Sequence, residues 1–146
     1  MKFQDKCIAA SDIYPTTAIN TCDGSADLEY DDRGSTNNYC SNNHWAGAKK
    51  ACADNEMRLP TSQELADVAT YIYKQEDNPI GATEYRSGTP DSERAAELNW
   101  SIGRSYWSSE PYRSNHAYLR GFGSSSSNWN GSSGVNCSNA RARCFK

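Results

Sequence analysis

The chain has 146 residues, 36% of them hydrophobic, with 15 basic and 18 acidic side chains and a net charge of −3. That length makes one domain, residues 1–146, with a real but modest core. No apolar run reaches 18 residues, which excludes a membrane-spanning helix, and a pI near 5.3 without a Lys/Arg stripe argues against nucleic acid as a partner.

In chain order, residues 1–40 are rich in Asp, Thr and Asn and read as a short opening strand and a loop that Cys22 and Cys40 can close. Tyr30-Asp31-Asp32-Arg33-Gly34 has turn composition, without the alternating acids and closing Glu of a calcium loop. A first helix is expected from Trp45 to Asp54, capped by Asn42 or Asn43, because Trp45, Ala48 and Cys52 share one face. Pro60 blocks helix before it. Thr61 with Glu64 forms a capping box, and Leu65, Val68, Ala69 and Ile72 keep helical spacing, so a second helix runs from Ser62 to about Lys74. Residues 75–99 read as a long connection with Pro79, Gly81, Gly88 and Pro90, holding a short helical turn over Asp91–Leu98. From Trp100 the texture turns to strands: Tyr106–Ser109, the alternating Ala117–Phe122, a loop or irregular hairpin over Ser124–Gly134, and a closing strand over Ala140–Phe145. Two helices followed by short strands predict an α+β domain with a small antiparallel sheet. Trp45, Leu59, Leu65, Val68, Ile72, Trp107 and Phe122 are the expected core.

The six cysteines, Cys7, Cys22, Cys40, Cys52, Cys137 and Cys144, include no Cys-x-x-Cys pair. An even count at wide spacing predicts disulfides and an oxidising compartment rather than a metal site. Fifteen full pairings are possible, and fewer than three bridges remains open.

The last third is written in a reduced alphabet. Pro111–Arg143 contains no Lys, Glu, Gln, Met or Asp and a single Trp, Trp129, whereas residues 1–110 hold 21 residues of the Lys, Glu, Gln, Met and Trp set. Ser, Asn, Gly, Tyr and Arg fill the stretch. That is contact chemistry, adaptable in its hydrogen bonding and rigid in its aromatics, and poor chemistry for acid–base catalysis. A flexible linker has similar Ser/Gly content but no need of Tyr106, Trp107, Tyr112, Tyr118, Phe122 and Trp129. Charge is split as well: residues 1–110 carry −8 and residues 111–146 carry +5 from Arg113, Arg120, Arg141, Arg143 and Lys146. A basic end attracts acidic partners; for Arg141 and Arg143 a solvated strand or pairing with the chain's own acids is the expectation.

Three stretches in order are Trp45-x-x-Ala48 to Cys52, then Arg58-Leu59-Pro60-Thr61 with Glu64-Leu65, then Tyr106-Trp107-Ser108-Ser109 with Ala117 and Arg143-Cys144-Phe145. Together they resemble the bacterial and phage branch of the C-type lectin fold. The Trp-Ser-Ser run with its polar, aromatic-spotted tail looks most like the variable proteins of diversity-generating retroelements. In such systems adenines of AAC codons are randomised, which yields Ser, Asn, Tyr, Arg, Gly and His among others and cannot yield Lys, Glu, Gln, Met or Trp; Trp129 departs from that pattern. The resemblance implies adjacent chain ends, a Cys52–Cys144 bridge and variable side chains held on a rigid sheet, where little entropy is lost on binding.

On this reading residues 1–44 are an N-terminal extension, 45–109 the helical scaffold and 110–146 the binding region with its closing strand. The expected function is a receptor- or adhesin-like protein displayed at a cell surface or secreted. Its ligand would be a protein or glycan on another cell or surface, contacted by Tyr112, Arg113, Asn115, His116, Tyr118, Arg120, Trp129 and Asn130. These are expected to be exposed, so that replacing Tyr112, His116, Arg120 and Asn130 together leaves the fold intact. No secretory signal opens the sequence, so a leader or anchor is expected outside it. A carbohydrate-binding lectin domain and a structural, pilin-like stem are the alternatives. Animal lectins of the fold bind calcium through Glu-Pro-Asn and Trp-Asn-Asp; here Glu110-Pro111-Tyr112 and Trp129-Asn130-Gly131 lack two ligands, and a hard cation wants six to eight oxygens. Some relatives generate formylglycine with a C-terminal cysteine pair, but Cys137 and Cys144 sit in a far shorter chain, and His44 and His116 lack catalytic partner motifs. Neither an enzyme nor a cofactor is expected.

Overall fold

The structure, a computed structural model, describes residues 1–22, 39–113, 115–123 and 127–146, the side chains of 127–129 excepted. The expected turn at Tyr30–Gly34 lies outside the described residues. The element order is β1 (Lys2–Phe3), β2 (Lys6–Cys7), α1 (His44–Ala53), α2 (Ser62–Ile72), β3 (Arg86–Ser87), α3 (Ser92–Glu97), β4 (Arg104–Arg113), β5 (His116–Phe122) and β6 (Ser127–Gly134). This is an α+β architecture with three helices and two small antiparallel sheets: a β1–β2 hairpin and a four-stranded sheet in the order β3-β6-β5-β4.

Local chemistry sets the helix starts. Asn43 Oδ1 accepts from the Ala46 N–H at 2.8 Å, which settles the cap of α1 on Asn43. Gly47 is obligatory inside that helix, because a Cβ there would lie 1.6 Å from the Thr17 carbonyl oxygen. The capping box of α2 is complete: Thr61 Oγ1 accepts from the Glu64 N–H at 3.1 Å and Glu64 Oε1 from the Thr61 N–H at 2.9 Å. Asp91 caps α3 through the Arg94 N–H at 2.9 Å.

The four-stranded sheet packs against helices on both faces over part of its length. One face carries Tyr106 and Phe122 and packs on Leu65, Val68 and Ile72 of α2, with Trp100, Phe3 and Phe145 in the same cluster. The other carries Trp107, Ala117 and Leu119 and packs on Trp45 and Cys52 of α1, with Leu59, Val135, Ala142 and Cys144. All seven expected core residues are buried.

Two bridges form, Cys22–Cys40 and Cys52–Cys144, the second enclosing 92 residues. Cys7 is free and exposed, and Cys137 is free and half-buried. The chain ends lie side by side: Ala9 N–H donates to the Cys144 carbonyl, Ile13 N–H to Ala142 and Lys146 N–H to Cys7 at 2.7–2.8 Å.

Two strand expectations need correction. The stretch Ser124–Gly134, expected as a loop or irregular hairpin, contributes a single strand, β6, which pairs with β5 from Asn128 to Gly134. The expected closing strand over Ala140–Phe145 is instead a run of single bridges, Arg141 to Tyr106, Ala142 to Ile13, and Phe145 to Ile8 and Arg58. Each residue answers a different neighbour, so no continuous ladder develops. The expected connection of 75–99 also contributes β3.

Buried Arg143 explains why that last segment is held so firmly. Each of its three nitrogens has an acceptor. Nε donates to Asp12 Oδ1 at 2.9 Å, Nη1 to the carbonyls of Ala9 and Leu98, and Nη2 to the Asn99 carbonyl, while Nη2 also lies 2.7 Å from Asp12 Oδ1 as an ion pair. Asp12 also accepts from the Tyr106 hydroxyl at 2.7 Å and lies 3.4 Å from Arg141 Nη1. Pairing with the chain's own acid therefore holds for both arginines. An unpaired buried charge would be destabilising; this one, paired with Asp12 and bonded to three carbonyls, ties the N-terminal segment, the chain just after α3 and the last segment together.

Candidate functional site

The Trp-Ser-Ser run is a structural joint that aims the far end of β4. Between Trp107, paired with Leu119, and Pro111, paired with Ala117, β4 carries extra residues that bulge out of register. The bulge is pinned from three sides. Ser108 O accepts from Trp45 Nε1 at 2.8 Å, Ser109 N–H donates to Pro60 O at 2.7 Å, and Glu110 Oε1 accepts from the Ser62 N–H at 3.0 Å. That last contact places a carboxylate on the first turn of α2, where the helix dipole favours negative charge. The Glu110 carboxylate is therefore used inside the scaffold. Among the described residues no three His, Cys, Asp or Glu side chains cluster for a metal.

Beyond the bulge the sheet end opens to solvent. Tyr112 is 42% exposed and meets half-buried Tyr118 edge-on with ring centroids 5.1 Å apart. The exposed Arg113 guanidinium lies 5.3 Å above the Tyr112 ring. His116, half-buried, sits 6.1 Å from the Tyr39 ring. Tyr118 pairs across the sheet with exposed Ser132, and half-buried Asn130 lies two residues before it on β6. Directly paired residues point to one face of a sheet, so Tyr112, Tyr118, Asn130 and Ser132 form one accessible patch of aromatic rings, hydroxyls and an amide.

Two expected contact residues are not on that surface. Arg120 is fully buried, and its guanidinium donates to the carbonyls of Gly81 (3.2 Å), Ala82 (3.1 Å) and Glu84 (3.3 Å). Burial drives its pKa down to about 10, opposed by the nearby Glu84 carboxylate. Arg120 shares the strand face of Phe122, whose packing under α2 draws it inward. Asn115 is 9% exposed and turns the chain between β4 and β5 at φ +68°, a region Asn tolerates. Its carbonyl accepts from the Val135 N–H at 2.7 Å. For Trp129 the described backbone pairs with Gly121; its side chain lies outside the described residues.

The basic tail is thus not a basic surface. Arg120 and Arg143 are buried and Arg141 is paired with Asp12, which leaves Arg113 and Lys146 exposed. Sequence reasoning missed Tyr85, 67% exposed beside β3, because it sits in a stretch read only as a connection. It also passed over Ser132, one serine in a serine-rich run. Compared with known proteins, the chain matches no family model, no curated protein and no solved structure.

Proposed function

We propose that this chain is a surface-displayed ligand-binding domain of the C-type lectin-like fold, similar to the variable proteins of diversity-generating retroelements. Its contact surface is the open sheet end with Tyr112, Arg113, His116, Tyr118 and Asn130. The observation that carries the reading is a division of labour inside the reduced-alphabet segment. Four of its accessible members, Tyr112, Arg113, Tyr118 and Asn130, gather at the open sheet end, while Arg120, Asn115 and Arg143 are bound into the scaffold. Tyrosines that hold one another edge-on, with Arg113 over one of them, are already ordered, so they lose little entropy when a partner arrives. Adjacent chain ends and the Cys52–Cys144 bridge support the fold assignment. The two disulfides support an extracellular or cell-surface setting. The partner is a protein or glycan on another cell or surface. A glycan array probed with and without calcium tests the reading: calcium-independent or absent glycan binding fits it, and calcium-dependent sugar binding replaces it with a lectin.

A further inference from the structure

Among the described residues β6 is paired on both sides only where it begins. β5 lines one side from Asn128 to Gly134, while on the other β3 pairs only with Ser127 and Asn128. The ladder stops because the chain ahead of β3 is drawn off the edge. The carbonyls of Gly81, Ala82 and Glu84 turn instead to the buried Arg120 guanidinium. Alternate residues of an antiparallel strand direct both N–H and C=O away from their partner. The half-buried to exposed run Asn130–Ser133 therefore presents a row of backbone donors and acceptors. Two usual protections of such an edge, charge and proline, are absent from residues 127–134, and among the described residues no further strand pairs there.

We propose that this edge, Asn130 to Ser133, docks an extended, uncharged peptide segment of another protein as an added strand. The strand runs antiparallel to β6 and collinear with β3, with exposed Tyr85 at its end. Antiparallel pairing gives the better hydrogen-bond geometry per residue. The uncharged edge offers an incoming charged side chain no counter-ion. A second copy of this chain is the poorer occupant, because a stable dimer needs roughly 1,200 Å² and four paired residues bury far less, whereas a flexible segment can dock weakly on the edge alone. Backbone groups carry this interaction, so it stands apart from the side-chain patch of Tyr112 and Tyr118.

The test uses the ¹⁵N-labelled chain and a capped hexapeptide of alternating threonine and valine, with the same peptide N-methylated at alternate residues as control. At millimolar peptide the amide shifts should move most at Asn130–Ser133 and Arg86. The outward amides of that run should exchange with solvent about tenfold more slowly, and the N-methylated peptide should produce neither effect. Four results would overturn the proposal: these amides are already protected without peptide, they do not respond, they respond equally to the N-methylated peptide, or they shift with protein concentration alone. A response confined to Tyr112 and Tyr118 would also overturn it while leaving the side-chain patch in place.

Discussion

Arg120→Ser should destabilise the protein, whereas His116 on the same strand and Tyr112 and Asn130 on the adjoining strands should tolerate exchange. The variant removes three charge-assisted hydrogen bonds, to the carbonyls of Gly81, Ala82 and Glu84, each worth roughly 1.5–3 kcal/mol. It also recovers the cost of burying the charge. Lowering the guanidinium pKa from 12.5 to about 10 corresponds to about 3 kcal/mol. The difference is a net loss of roughly 2–6 kcal/mol before any cavity is counted. In a domain of this size that lowers Tm by about 7–20 °C. The control is Tyr112→Ser, His116→Asn and Asn130→Tyr made together, which touches accessible side chains and should cost about 0.5 kcal/mol or less per site. Thermal melts followed by far-UV circular dichroism decide the matter. An Arg120→Ser variant melting within a degree or two of the parent would refute the assignment of Arg120 to the scaffold. A triple variant that falls as far as Arg120→Ser would refute the assignment of the other three to the surface.

Replacing Cys52 and Cys144 with Ala opens a 92-residue loop and should cost roughly 4–5 kcal/mol; an unchanged melt under non-reducing conditions would contradict that bridge. Glu64 supplies a pH dependence. Burial pushes its carboxyl up, but hydrogen bonds from Arg58 and the Thr61 N–H, with Lys6 nearby, hold it down at about 2 against an ordinary 4.5. A depressed folded pKa stabilises fully above pH 4.5 and is lost as pH falls towards 2, a change of about 3 kcal/mol. Chemical denaturation between pH 6 and 2 should show that loss, and Glu64→Gln should flatten it; an unchanged slope in the variant would exclude Glu64 as its source. A thiol reagent added to the native, non-reduced protein should attach twice, first at exposed Cys7 and then at half-buried Cys137, and a third adduct before unfolding would show that a bridge is missing.

The helices were legible because their signals are local. Asn43, the Thr61–Glu64 box and the apolar spacing of Leu65, Val68 and Ile72 specify α1 and α2 without tertiary help. β6 was not legible, because Ser-Asn-Trp-Asn-Gly-Ser-Ser-Gly has neither alternation nor β-branched residues; it becomes a strand through pairing with β5. Composition marks a segment but carries no orientation, so it groups Arg120 with Tyr118. The period of two does hold a warning. With Phe122 assigned to the core, Arg120 falls between it and Tyr118 on one face, where carbonyls of a sequence-distant loop meet its charge. Likewise the +5 tail could not reveal that Asp12, more than 120 residues away in sequence, takes up Arg141 and Arg143.

The central claim is that a rigid scaffold carries an exchangeable contact patch. It is tested most directly by a display library in which Tyr112, Arg113, His116, Tyr118 and Asn130 are randomised together, with clones scored for folding and selected against several unrelated immobilised proteins. The account predicts that most clones melt within a few degrees of the parent and that different targets select different side chains at these five positions. A library that is mostly unfolded, or a folded library that yields no target-specific binders, would contradict it.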